Sequence, residues 1–198
     1  NSISALTEEA IDALCKSFRV AMAASGVNAN SEWRDATGDP AQQIAVHGRY
    51  GNMIVIGQPD PDVQSGLATK LADDVVLQAE RPILFISYTQ RETEIGKPIM
   101  VAWNGSREAA RAVADAMPLL KGAASVDVQS ANPDGIGDEP GADIGYFLAR
   151  HGIIIEVSHT LTDDISIGDE LLKRAADRNK DMLEMVGYSH SQFRETVL

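Results

Sequence analysis

Short apolar runs alternate with amphipathic segments through the second half of the chain. The runs 98–103, 125–131, 153–160 and 182–186 have strand-like patterns, and a segment with helical periodicity follows each of the first three. Chains in which strands and helices alternate form parallel sheets with helices on both faces. The sequence therefore predicts an α/β fold built on doubly wound, mainly parallel sheets.

The first half is predicted to contain the same kinds of elements. Residues 7–24 have a helical period, and Pro40 opens a second helix after a weak strand signal at 27–33. Strands are predicted at 52–57 and 82–88, with a helix between them. The order helix, strand, helix, strand, helix, strand again favours a parallel sheet.

An internal repeat links the two halves, because residues 38–57 align with residues 168–187 without a gap. In both segments Gly-Asp precedes a predicted helix, and Gly follows a predicted strand. The pattern favours a duplication, with chance similarity of two αβ units as the alternative. The identical pairs are Gly38/Gly168, Asp39/Asp169, Ala45/Ala175 and Gly57/Gly187.

The polar segment 89–97 separates the halves, so we predict a first domain at 1–92 and a second at 97–198. Past the repeat, the first half continues with a helix and a strand that the second half lacks. The first domain is expected to lack its N-terminal strand and helix, and the second its C-terminal strand. The chain is thus predicted to be a tandem protein that is truncated at both ends.

The net charge of the chain limits the kinds of partner that it can bind. Lys and Arg number 17 against 29 Asp and Glu, a net charge of −12, and no basic run is present. A phosphate backbone repels such a surface, so we expect no nucleic-acid partner. No stretch of about 18 apolar residues and no basic leader is visible, so we expect no membrane partner. The single cysteine suits a cytoplasmic protein.

Two loops are candidates for ligand binding, because ligands of doubly wound sheets bind beyond the carboxyl ends of the strands. In the first, Gly105 allows close approach, and Ser106 can cap the helix that follows Trp103 and Asn104. The second begins at Gly187 and contains Ser189, His190 and Ser191. Both have the features of an anion site, although glycine and serine also simply form turns and caps.

The chain resembles the universal stress protein family in its tandem two-domain form. The most telling segments are "YGNMIVIGQPDPD", "ERPILFISY" and "VAWNGSREAARAV", and the resemblance covers essentially the whole chain. It implies α/β domains of five mainly parallel strands. Many members bind ATP through a loop after the fourth strand, with the pattern Gly-x-x-Gly, nine residues, and Gly-Ser or Gly-Thr. An aspartate at the end of the first strand lies near the nucleotide.

This sequence departs from the family pattern at several positions. The two leading motif glycines fall on Val186 and Ser189, the trailing pair would lie beyond Leu198, and the aspartate position is Asn104. A β-branched side chain obstructs close approach of a phosphate. If ATP is the cofactor, the resemblance implies that Trp103, Asn104, Gly105 and Ser106 border the adenosine and that Gly187, Ser189, His190 and Ser191 border the phosphates.

The leading hypothesis is a stress-response protein that binds or senses adenine nucleotides and has no turnover chemistry. One alternative is a scaffold that self-associates, or forms a pseudo-dimer of its two domains, through the edge strand 82–88. Another is an ATP-pyrophosphatase or flavoprotein subunit, which requires a phosphate loop that we do not find. A nucleophile elbow would need glycine at Ser191, and the four histidines lack the spacing of a zinc site.

Glu184 is unexpected, because it places a charge inside the apolar run 182–186. Burying a charge in a central strand is unfavourable unless a partner neutralises it. The sequence therefore predicts either a cavity beside this strand or a basic side chain close to Glu184.

Overall fold

The computed structural model describes residues 8–26, 30–58, 67–90, 94–131, 141–160 and 166–187. The elements in chain order are α1 Glu8–Ser25, α2 Pro40–Gly48, β1 Ile54–Gly57, α3 Leu67–Gln78, β2 Ile83–Ile86, β3 Pro98–Ala102, α4 Arg107–Leu120, β4 Ser125–Ala131, α5 Ala142–Arg150, β5 Ile155–Thr160, α6 Ile167–Asp177 and β6 Met182–Glu184.

The strands form two sheets in which every described pairing is parallel. Strands β1 and β2 make one sheet, and the other has the strand order β5-β4-β3-β6. Within each sheet a helix connects strands that follow one another in the chain, as is usual for parallel strands. The predicted α/β class with mainly parallel sheets is confirmed.

The four-stranded sheet carries helices on both faces. One face packs against α4 and α5 through a cluster of buried aliphatic side chains that includes Ile99, Val101, Val113, Leu120 and Leu148. The alternate strand residues Met100 and Ala102 face α6, where they pack against Leu171 and Ala175. This two-sided burial explains why β3 appears in the sequence as an uninterrupted apolar run.

The chain reverses direction across the sheet beside β3. It proceeds outward from β3 to β4 and β5, then returns through α6 to β6 on the other side of β3. The connecting loops diverge at the carboxyl ends of β3 and β6, so this is the topological switch point at which doubly wound sheets open a cleft.

The weak strand signal at 27–33 was a wrong prediction for the part of it that is described. Residues 30–37 contain no strand, because no described strand lies beside them to supply a ladder. Their side chains bond locally instead: Trp33 Nε1 donates to Asp35, and Arg34 pairs with Glu32 at 2.8 Å. Trp33 also contacts Phe18 of α1, with ring centroids 5.6 Å apart.

The repeated segments share buried positions but differ at their helix starts. Ala45 and Ala175 are both buried, as are the aligned Ile54 and Glu184. Asp39 caps α2 as expected, accepting a hydrogen bond from the Gln42 amide at 2.8 Å.

The second copy begins its helix differently, so the prediction that Gly168-Asp169 precedes a helix was wrong. Ser166 is the cap of α6, and its hydroxyl accepts from the Asp169 amide at 3.1 Å. The helix therefore starts before Gly168, because a serine two residues earlier already satisfies the free amide.

Among the described residues, no helix has the length and apolar character needed to cross a membrane.

Candidate functional site

A cleft lies at the switch point of the four-stranded sheet. The space in it that a water molecule can occupy is about 10 Å³, and the rest of the opening is continuous with solvent. The residues that line it come from the ends of β3, β4 and β6 and from α6; they are Ala102, Trp103, Asn104, Gln129, Leu171, Met185 and Val186. This position beyond the carboxyl ends of the strands is where doubly wound sheets bind their ligands.

The loop after β3 is a tight, well-bonded turn. The Trp103 amide donates to the Gln129 carbonyl at 2.9 Å, which extends the β3–β4 ladder by one residue. The side-chain oxygen of Asn104 accepts from the Ser106 amide at 3.0 Å, and Gly105 has a φ of 72°, a conformation that favours glycine. Ser106 caps α4 by accepting from the Ala109 amide at 3.1 Å.

The segment after β6 forms the opposite wall of the cleft. Met185 and Val186 line it, Val186 is buried, and the exposed Gly187 follows directly. The structure thus brings Trp103 and Asn104 together with the residues that precede Gly187. The remaining predicted residues of this loop, Ser189, His190 and Ser191, lie outside the described residues.

Gln129 supplies a fixed amide beside the cleft. Its side chain is 0% exposed, its Nε2 donates to the Ser130 carbonyl at 3.2 Å, and its Oε1 accepts from the Ser158 hydroxyl at 2.8 Å. The Ser130 carbonyl is an acceptor only, so it sets which way the amide points. Gln129 was not predicted as a site residue, although a polar residue near the carboxyl end of a central strand was a usable signal.

The described lining of the cleft is aromatic, apolar and amide in character. Its lining combines an indole, two amides and apolar side chains, and no Lys, Arg, His, Asp or Glu is among the lining residues that the structure describes. Across those described residues, no three His, Cys, Asp or Glu side chains come together as metal ligands. An aromatic and apolar lining with a few polar groups resembles that of small-molecule sites, but the space within it is much smaller than such sites enclose.

Glu184 lies apart from the cleft lining. It pairs with Val101 in the parallel register and is 8% exposed. Its Oε2 has no hydrogen-bond partner, and no ion pair joins it to a described cation, so the described residues do not supply the basic partner that was one of the two predicted alternatives. Burial raises the pKa of Glu184 to about 8, which leaves the carboxyl largely protonated at neutral pH.

The structure is similar to that of a universal stress protein from Archaeoglobus fulgidus DSM 4304. The TM-score is 0.67 at 15% sequence identity, over 92% of this chain and 69% of that chain. The fold is universal-stress-protein-like. No protein-family model and no curated protein matches the sequence. At this identity the likeness concerns the fold, and the ligand has to be argued from the residues of the cleft.

Proposed function

We propose that the protein is a stress-response module of the universal stress protein type whose cleft at the switch point binds an adenine nucleotide without turning it over. The observation that carries this proposal is the convergence of the Trp103–Asn104 turn and the Met185–Val186 segment on one cleft. The fold of the Archaeoglobus universal stress protein supports the stress-response assignment. The two sheets are proposed to belong to tandem copies of this fold.

The residues of the cleft suit the nucleoside part of such a ligand. Trp103 offers a surface on which a base can stack, and the Asn104 amide can hydrogen-bond to a ribose or base edge. The amino terminus of α4, which Ser106 caps, presents amides to negative charge.

The phosphate part fits less well. Val186 stands at a position where the family pattern has glycine, and the described lining of the cleft contains no cation. Further phosphate contacts would have to come from the sequence after Gly187, which contains the hydroxyls of Ser189 and Ser191 and the imidazole of His190. We therefore expect the base and ribose to contribute most of the affinity, with adenosine and AMP binding nearly as tightly as ATP.

Isothermal titration calorimetry tests this proposal directly. The protein is titrated with adenosine, AMP, Mg-ATP and Mg-GTP, and the adenine compounds are expected to bind. Asn104→Ala should weaken binding about tenfold, because it removes a side-chain contact and the acceptor for the Ser106 amide. Asn104→Asp keeps the acceptor and should retain most of the affinity.

The matched control is Asn52→Ala, which changes an exposed asparagine before β1 that is not among the residues lining the cleft. Absence of binding by every adenine compound would refute the proposal, as would equal losses in Asn52→Ala and Asn104→Ala.

The scaffold function is a second candidate, favoured by the sheet edge at β2. All four β2 residues are half-buried, and β2 pairs on one side only, with β1, among the strands the structure describes. An unpaired edge can pair with a second copy. Light scattering would then report a dimer, and Phe85→Pro, which removes a backbone donor on the edge that faces away from β1, would yield monomers.

A further inference from the structure

Helix α3 of the first half lies close to Gly187, which follows the cleft-lining residues Met185 and Val186. A methyl group added to Gly187 would stand 2.8 Å from Cγ1 of Val76, so the α3 side chain lies against the backbone of Gly187. Real Cβ atoms essentially never approach a carbon so closely, and a residue larger than glycine therefore requires the Val76 side chain, α3 or the Gly187 backbone to move.

Gly187, whose backbone makes this contact, directly follows two residues that line the cleft. Met185 and Val186 immediately precede Gly187. The described ladder between β6 and β3 ends at Glu184, so these residues continue beyond the paired part of the strand. Side-chain packing is therefore expected to contribute to where they lie.

The surrounding face of α3 is covered by protein. Asp73 lies one turn before Val76 and so shares its side of the helix. Its Oδ1 is buried and has no hydrogen-bond partner, which is expected where packing excludes water. Leu77, on another side of the same helix, is 64% exposed.

We infer that Val76 is a positioning residue for the cleft: through its contact with Gly187, helix α3 sets the position of Met185 and Val186 and thereby the affinity for the nucleotide. This inference rests on the proposed function for its ligand, but the contact itself can be tested without one. If the inference holds, the affinity for a ligand in the second half of the chain depends on how α3 of the first half packs.

Three variants that change side-chain size at the contact test the inference. Gly187→Ala adds a methyl group that would collide with Val76, and Val76→Ala removes the methyl groups with which it would collide. The double variant has the added methyl group at residue 187 but no collision. The control is Leu77→Ala, which removes a neighbouring exposed side chain. All variants are compared at a temperature where circular dichroism shows them folded.

Two readouts are used. The first is the emission maximum and acrylamide quenching of Trp103 without ligand, in a Trp33→Phe background, since the chain has two tryptophans. The second is the Kd for Mg-ATP. We expect Gly187→Ala to shift the Trp103 emission and weaken binding about tenfold, and the double variant to restore both values to those of Val76→Ala. Leu77→Ala should change neither.

The outcomes separate the two proposals. The Trp103 emission could change in Gly187→Ala and be restored in the double variant while none of the proteins binds ATP. This result would support the positioning role and refute the nucleotide assignment. ATP binding by the wild type with neither readout altered in Gly187→Ala would refute the positioning role and leave the nucleotide assignment standing. The positioning role would also be refuted if Gly187→Ala changed the Trp103 emission or the Kd and adding Val76→Ala in the double variant did not reverse the change.

Discussion

Replacing Glu184 by glutamine should stabilise the protein relative to wild type, and this gain in the free energy of unfolding should grow as the pH rises. Glu184 is buried at a position where the aligned residue of the first half is Ile54, and its Oε2 has no hydrogen-bond partner. Glutamine preserves the size and polarity of the side chain but cannot ionise. The difference between the two proteins therefore isolates the free energy of placing a charge at this position.

The magnitude follows from the pKa of Glu184, which burial raises from 4.5 to about 8. Between these values the unfolded chain has released its proton while the folded protein retains it. Stability therefore falls as the pH rises, by about 1.4 kcal/mol per pH unit. The penalty is absent below pH 4.5 and complete above about pH 8, where the 3.5-unit difference corresponds to about 5 kcal/mol.

Urea unfolding from pH 4.5 to pH 9 measures this effect. The excess stability of Glu184→Gln over wild type should grow across this range and level off above about pH 8. The control is Glu94→Gln, an exposed glutamate whose replacement should give a small and nearly constant difference. A Glu184→Gln difference that does not change with pH would refute the reasoning, because the carboxyl would then ionise equally easily in the folded and unfolded states.

Two further predictions concern packing. Asp127→Ala should destabilise the protein by about 3–5 kcal/mol in urea unfolding. Lys180 and Arg178 lie 2.9 Å and 3.0 Å from the Asp127 carboxylate and would lose their buried partner. A loss of stability below about 1 kcal/mol would contradict this prediction. Gly145→Ala should lower the thermal midpoint despite alanine's higher helix propensity, because its methyl would stand 2.8 Å from Val157 Cγ2; an unchanged or higher midpoint would show that α5 can shift away from β5.

Most helices and strands could be predicted from the sequence because their signals are local. The apolar periods located β3 to β6 and the helices between them, and Ser106 was correctly predicted to cap α4. The failures at 30–33 and at Gly168 were also local. A strand needs a neighbour that the sequence does not reveal, and Ser166 competed successfully for the cap.

The candidate site was only partly predictable. The switch point follows from strand order, so Trp103 and Asn104 could be located at the cleft. The contributions of Gln129 and Leu171 depend on which face of a strand or helix turns toward the cleft. The contact between Val76 and Gly187 joins residues far apart in the chain and has no sequence signature at all. Such long-range contacts follow from tertiary packing, not from local pattern.

The most direct test of the central claim is amide chemical-shift mapping by NMR during titration with Mg-ATP. The account predicts that the shifted resonances concentrate at Trp103, Asn104 and Gly105 and at Val186 and Gly187, the two walls of the switch-point cleft. No shifts at millimolar ATP, or shifts confined to the first half of the chain, would contradict it.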